Sequence, residues 1–436
     1  MVQISVRIDG RESGVVEQMV SGTAAEIEEQ ARVIEQRVGR MMLEPAFPQI
    51  ADRAPAPCCC GRRIRNCGLR TIGVLTTCGE VPVHRRRYRR RYGCRRRECG
   101  RELHPADAQR CCGRHRVSRP LAQRVCQLAA VEHFTRLPEW VAAQYGVTLC
   151  HETELELVHE VGGAAERMRR AEARSSASRR VVPAVTVPTP PKRVYVRVDG
   201  ILYGTNPTEI DADHPGQKRL IWPQRKVGCV YWQDAREHWR KQRIWGRESP
   251  DEFGAALWRL ACQCGYAQAD EKVFAADGGR WCRDIHARHF SEATGLLDRS
   301  HASEHVWDAA KIVAPASSEI WARTALDQLH GGGAALSIWR ATPLTSRRGR
   351  PRATLEQLSR YVTDKIDRMN YPAARQRGGQ IGTGMIESTC KQLVGQRLKG
   401  PGRHWTEAGA LALTALDATD LNGRWNAFWN SLTLAN

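Results

Sequence analysis

The sequence predicts an α/β fold in its C-terminal half, preceded by a small zinc-ribbon-like segment and an α-helical region of helix-turn-helix type. Three observations carry this expectation. From residue 193 onward, short β-rich runs alternate with helical periodicity, as in Val194-Tyr-Val-Arg-Val198 and Lys272-Val-Phe-Ala-Ala276. Between residues 55 and 110, cysteine and arginine replace the apolar runs that build a core. Between residues 115 and 171, apolar residues return at helical spacing.

Residues 1–50 read as an N-terminal helical segment. Within it, TAAEIEEQARVIEQRVGRMML (23–43) is an amphipathic helix suited to packing or oligomerisation, and Pro45 and Pro48 are expected to end it, since proline lacks the amide donor. Residues 55–110 form a Cys/Arg-rich segment that cannot bury much core and calls for a metal to fold. In 115–171, Leu137 to Tyr145 is a short helix closed by Gly146, and Val147 to Glu160 is a second helix starting near Thr148. That pattern fits a helix-turn-helix, and an ordinary helical hairpin gives the same pattern. Residues 172–192, rich in Ser, Arg and Pro, read as an extended linker. In 193–436, strands are expected at 194–198, 226–232, 272–276 and 295–297. Residues 302–375 are mostly helical, with turn material at Gly331–Gly333 and a basic loop at Ser346–Arg352.

The chain has 436 residues, enough for two or three domains with their own cores. Its formal net charge of +20 points to a polyanionic partner. Phosphate contacts supply affinity without reading bases, so charge alone says nothing about sequence specificity. No apolar run approaches the roughly 20 residues a bilayer demands, and Met1 to Gly22 lacks the pattern of a signal peptide. A cytoplasmic, nucleoid-associated protein with no membrane partner is therefore expected. The 16 cysteines then suggest metal binding or buried thiols rather than disulfides.

Two aspartates are expected at strand ends, each followed by glycine: Arg197-Val-Asp199-Gly200 and Ala276-Asp277-Gly278-Gly279. A third carboxylate, Glu387, lies in Gly382-Thr-Gly-Met-Ile-Glu-Ser-Thr-Cys-Lys391, in the first turn of an expected helix. Lys391 falls one turn further along that face, where it can contact phosphate. Asp-Gly is also a common turn signal, and either aspartate by itself reads as a turn residue. The order strand-Asp, strand-Asp, helix-Glu suits phosphoryl transfer, in which two Mg²⁺ (or Mn²⁺) ions bound by carboxylates activate the attacking oxygen and stabilise the leaving one.

At these residues the chain resembles the DDE transposases of bacterial insertion sequences, most closely the Kra-type group. The matching stretches are YVRVDG (195–200), KVGCVYWQD (226–234), FAADGGRW (274–281), LLDRSHASEHVWDAAK (296–311), IGTGMIESTCKQLVGQRLKGPGRHW (381–405) and LNGRWNAFW (421–429). The resemblance implies an RNase H-like mixed sheet over 193–436 with a helical insertion at about 302–380. It implies Mg²⁺-dependent cleavage at transposon ends followed by attack of the 3′-OH on target DNA. Asp199, Asp277 and Glu387 match the catalytic, metal-binding acids. Asp298-x-x-His301 is similar to a feature of the related Mutator-like transposases, and places both residues among the catalytic candidates, His301 as a phosphate or nucleophile-steering group, with ordering of the strand end as its alternative role. Lys399, Arg403 and Trp405, which follow Glu387, are candidates to grip the transposon end, with a core role as the alternative for Trp405.

Cys58-Cys-Cys60-Gly61 and Cys94-x₄-Cys99-Gly100 flank a β-like stretch from Thr71 to Tyr92. Cysteine pairs followed by glycine and separated by a hairpin suit a structural zinc held by Cys58, Cys60, Cys94 and Cys99, with Cys59, Cys67, Cys78 and Cys111-Cys112 as substitutes. Between the pairs runs His84-Arg-Arg-Arg-Tyr-Arg-Arg-Arg-Tyr92. Arg85, Arg86, Arg87, Arg89, Arg90 and Arg91 interleaved with tyrosine suit phosphate contact on double-stranded DNA, both transposon ends and target. A homodimer or higher oligomer on DNA is expected. Two other readings share parts of this pattern: a zinc-containing DNA-binding regulator without catalysis, and a metal-dependent nuclease that cuts without joining.

Overall fold

A computed structural model describes residues 2–8, 11–47, 64–89, 102–104, 107, 111, 115–177, 189–206, 209–210, 218–219, 221–331, 348–400, 403–432 and 434. The chain divides into two compact units: Met1–Glu166 with Leu411–Leu416 and Arg424–Asn436, and Arg167–Ala410 with Asp417–Gly423.

The first unit opens on a hairpin, β1 (Val2–Ile8) against β2 (Arg11–Gln18), where a wholly helical segment was expected. Val6 and Val16 alternate inward in the two strands and are buried. Helix α1 (Ala24–Ala46) starts at Thr23 through a capping box with Glu26. It runs through Pro45 rather than ending there, because a proline in the last turn forfeits only one of the final backbone bonds, and the Phe47 amide still reaches Leu43.

Strands β3 (Arg65–Thr76), β4 (Gly79–Arg89) and β5 (Glu102–Leu103) form an antiparallel sheet. Ile72, Val74, Val81 and Val83 alternate onto one face and pack with Cys111, Leu43 and Phe47. The segment expected to bury little core has a small one, to which α1 and Phe47 lend apolar side chains. Helices α2 (Arg119–Val131), α3 (Leu137–Tyr145) and α4 (His151–Ala177) follow. Gly146 closes α3 at φ 62°, as a left-handed cap should. Helix α4 starts at His151, later than Thr148, and continues to Ala177, inside the stretch expected to be extended. Residues 178–188 of that stretch lie outside the described residues. Glu152 and Glu156 near the start of α4 are exposed. The two helices expected of a helix-turn-helix are thus present, α3 and α4, joined through Gly146.

In the second unit, β6 (Arg193–Leu202), β9 (Gln224–Gln233), β10 (Trp239–Gly246), β11 (Glu271–Ala276) and β12 (Thr294–Leu297) form one mixed sheet in the order β10-β9-β6-β11-β12. A short ladder of β7 (Glu209–Ile210) and β8 (Lys218–Arg219) stands apart from it. β6, β9 and β10 are successive antiparallel neighbours, whereas β11 and β12 run parallel to β6. Numbered along the chain within the sheet, the order is third, second, first, fourth, fifth, which is compatible with an RNase H-like fold. Val194, Val196 and Val198 point into the main core with Val230, Phe274 and the helices α5 (Pro250–Gln263) and α6 (Arg280–His289). Tyr195, Arg197 and Asp199 take the opposite face by the period of two. There Tyr195 stacks on Tyr231 at 4.8 Å.

Between β12 and Glu387 the described residues are mostly helical: α7 (Arg299–Val313), α8 (Ser318–His330), α9 (Arg350–Thr363) and α10 (Tyr371–Gln376). Val306, Ala310, Leu329, Leu358 and Val362 give this insertion its own core. Residues 332–347, with Gly332, Gly333 and part of the basic loop, lie outside the described residues.

Candidate active site

Parallel strands deliver their last residues to one rim, and here the register brings three acids into a row. Val198 of β6 lies opposite Ala276 of β11, and Ala276 lies opposite Leu297 of β12. The next residue on each strand is Asp199, Asp277 and Asp298. Asp199 was expected at a strand end, but β6 continues to Leu202 because β9 still pairs with it there. Asp199 sits where β6 loses its parallel neighbour rather than where it ends.

Local backbone holds each carboxylate. The Gly200 amide donates to Asp199 Oδ1 at 2.6 Å and the Gly279 amide to Asp277 Oδ1 at 2.9 Å. Gly278 turns the chain at φ 84°, and a Cβ there would press on Leu297 and Lys365. Asp298 caps α7, accepting from the Ser300 amide at 2.8 Å and the His301 amide at 3.4 Å.

Glu387 lies in the first turn of α11 (Gly384–Cys390), as the sequence predicts, and is exposed. The helix is bound to the sheet. Lys241 Nζ donates to Ser388 Oγ at 2.7 Å, and Cys390, one turn beyond Glu387, places its thiol 3.6 Å from Asp199 Oδ2. A second tie reaches Asp298. The Thr383 hydroxyl donates to Glu387 Oε1, and Ser300 Oγ lies 3.0 Å from Thr383 Oγ1. The three aspartates are neighbours, and Glu387 is linked to them through Cys390 and through Thr383 and Ser300. Among the described residues, no three His, Cys, Asp or Glu side chains close into a metal cage.

Burial raises the Asp199 carboxyl above the ordinary range, and the nearby charges of Asp277 and Asp298 add to this. Asp298 is also raised by burial, while the Arg197 guanidinium pulls it back. Arg197 is 1% exposed and donates to the Tyr231 hydroxyl at 2.8 Å. The Cys282 thiol lies 3.2 Å from Asp277 Oδ1. Burial and the adjacent aspartates push the Cys282 and Cys390 thiols far up, so both remain protonated donors. From the insertion, Tyr361 has a buried hydroxyl with no hydrogen-bond partner among the described residues, raised by burial and then by Asp277 and Asp298. Lys365 Nζ sits 4.0 Å from the Tyr361 ring centre. Sequence reasoning missed Arg197, Cys282, Ser300, Tyr361, Lys365, Thr383 and Cys390. The alternation Tyr195-Arg197-Asp199 was a signal for Arg197, whereas the others depend on tertiary contact.

The remaining sequence candidates are dispersed. His301 is 40% exposed, lies 3.4 Å from Glu304 and meets His305 edge to face. Lys391 and Lys399 are exposed, and Lys391 opens a π-helical turn, Lys391–Gly395. Arg403 donates to the carbonyls of Gln396 and Arg397 at 3.1 and 2.8 Å, closing the helical turn Gln396–Leu398. Trp405 donates to the Leu398 carbonyl at 3.2 Å with Arg397 over its ring. On the β3–β4 hairpin, Arg85 pairs with Asp107 at 2.6 Å, and Arg87 donates to the Cys67 carbonyl at 3.2 Å. Arg86 and Arg89 are exposed. Arg90, Arg91, Cys58, Cys59, Cys60, Cys94, Cys99 and Cys112 lie outside the described residues.

No family model matches the chain, and no curated protein matches it. Among solved structures, it is similar to the Drosophila P element transposase strand transfer complex, at 10% identity and a TM-score of 0.24, over 72% of this chain and 81% of that one. No helix among the described residues is long and apolar enough to cross a membrane.

Proposed function

We propose that this chain is a DDE-type transposase that cleaves DNA at the ends of an insertion sequence and joins them to target DNA. One observation carries the reading. Asp199, Asp277 and Asp298 stand in a row across three parallel strands, and the helix bearing Glu387 is tied to that row at Asp199 through Cys390.

The residues fit divalent metal by their chemistry. Burial and mutual repulsion hold Asp199 above its ordinary range, a cost that a cation would relieve, and carboxylate oxygens are the donors hard ions select. Two Mg²⁺ or Mn²⁺ ions held by Asp199, Asp277 and Glu387 would activate the attacking oxygen and stabilise the leaving one. Glycine amides fix the two aspartates, and the protonated thiols of Cys282 and Cys390 steady them further. Lys365, half-buried beside Gly278 and Tyr361, adds a positive group on the insertion side of Asp277.

The basic hairpin is assigned to the DNA backbone, and Cys58, Cys60, Cys94 and Cys99 to a structural zinc. Double-stranded DNA is the partner, with two or more copies of the chain assembling on it. The test is cleavage and joining of DNA carrying the element's ends, in Mg²⁺ and in Mn²⁺. Asp199→Asn and Glu387→Gln should abolish cleavage while DNA binding survives. Cleavage by both variants rejects the site, and pre-cut ends that are never joined favour a nuclease instead.

A further inference from the structure

Thr383 immediately precedes α11, where a threonine ordinarily turns its hydroxyl to a free backbone amide of the helix. It makes no such cap here. Its side chain is buried, at 6% exposure, and its hydroxyl goes to Glu387 Oε1 instead. Because a carboxylate only accepts, the Thr383 proton points at Glu387. The proton in the 3.0 Å contact between Ser300 Oγ and Thr383 Oγ1 must then come from Ser300. The Ser300 amide is bonded to Asp298 Oδ1. A directed chain thus runs from the cap of the first insertion helix, through Ser300 and Thr383, to one oxygen of Glu387. The other oxygen, Oε2, has no hydrogen-bond partner among the described residues.

We infer that Thr383 is a positioning residue for Glu387, and that Ser300 holds the Thr383 hydroxyl in the rotamer that does this. Engaging Oε1 orients the carboxylate and leaves Oε2 to accept a divalent cation. Without the hydroxyl, Glu387 rotates freely on an exposed turn, and ordering it is then charged against metal binding. The route through Ser300 also makes the fit of Glu387 depend on α7, so the insertion's first helix bears on the acid that follows the insertion in sequence. This inference rests on Glu387 being a metal ligand.

The test measures Mn²⁺ affinity of the full chain by the electron paramagnetic resonance signal of free Mn²⁺, with thermal melting as the control for folding. Thr383→Val keeps the shape and loses the hydroxyl, and should weaken Mn²⁺ binding by about tenfold or more. Thr383→Ser keeps the hydroxyl and should stay within about threefold of the parent. Ser300→Ala should weaken binding in the same direction, and adding it to Thr383→Val should cost little more, since one chain is broken once. Unchanged affinity in Thr383→Val overturns the inference, as does equal weakening in the valine and serine variants. Should Thr383→Val fail to fold, Ser300→Ala carries the test, and unchanged affinity there overturns the relay. Glu387→Gln separates the two levels. If it leaves Mn²⁺ affinity intact, the ligand assignment itself fails; if it lowers affinity while Thr383→Val does not, only the positioning role fails.

Discussion

The Cys390 thiol lies 3.6 Å from Asp199 Oδ2, so the helix that carries Glu387 is fastened to the strand that carries Asp199 by a donor one turn past the glutamate. Burial and Asp199 together keep that thiol protonated, which is what lets it donate. Cys390→Ala removes both the donor and buried volume, and should cost about 1–2 kcal/mol of stability. Cleavage should fall further than the melting shift explains, because Asp199 and the Glu387 helix lose their link. Cys390→Ser keeps a donor and should recover most of the rate. Single-turnover cleavage beside melting curves decides this, and an alanine variant that cuts at the parental rate removes the link from the mechanism.

Glu154 gives the first unit a pH dependence of definite sign. Neither of its oxygens is exposed or hydrogen-bonded among the described residues, and burial pushes its carboxyl up to about 7. An unfolded glutamate titrates near about 4.3. Between those values the unfolded chain releases its proton while the folded chain keeps it. Stability therefore is greatest below the unfolded value, falls as pH rises toward 7, and is flat above, by up to about 3 kcal/mol in all. Glu154→Gln should abolish this slope. Urea unfolding at pH 5 and pH 8 checks it; an unaltered slope in the variant assigns the dependence to other groups.

The strands that carry the candidate acids were legible in runs such as Tyr195-Val-Arg-Val198 and Lys272-Val-Phe-Ala-Ala276, each followed by aspartate, and glycines set off Glu387 from the insertion. The strand Trp239–Gly246 was not legible. As an edge strand it has one neighbour, and its sequence WRKQRIWG is too charged to read as β. The N-terminal hairpin is not legible beside the strong helical periodicity of residues 23–43. Ser300, Thr383, Cys282 and Cys390 could not be found in sequence, since hydroxyls and thiols acquire their meaning only from the carboxylates that folding sets against them.

The arginine run between the cysteine pairs divides by structure. Arg85 and Asp107 form an ion pair in which both side chains are 14% exposed. Arg85→Ala should therefore destabilise the hairpin by about 1–3 kcal/mol, as the aspartate is left poorly solvated. Arg86 and Arg89 are exposed. Replacing either by alanine should leave folding intact and reduce the slope of log affinity for DNA against log salt by about 1. Binding isotherms from 50 to 200 mM salt, within the range where about 6–10 phosphate contacts change affinity 10³–10⁵-fold, measure it. A slope that does not move in either variant takes this hairpin off the DNA.

Asp298 stands at the end of the row of acids and also caps α7, and these two roles separate experimentally. Asparagine caps as well as aspartate does, because its side-chain oxygen still accepts from the Ser300 and His301 amides. Asp298→Asn therefore removes the charge and keeps the cap, whereas Asp298→Ala removes both. On stability, the alanine variant should lose about 1 kcal/mol and the asparagine variant about half of that or less. On cleavage, both should fall together if the charge matters, since the negative carboxylate is what Arg197 stabilises against burial and what shares the rim with Asp199 and Asp277. Its acid limb gives a further sign: Arg197→Met removes the group that pulls Asp298 down, so Asp298 ionises at higher pH and the acid limb of cleavage should move upward. An Asp298→Asn enzyme that cuts like the parent would make Asp298 a cap and nothing more.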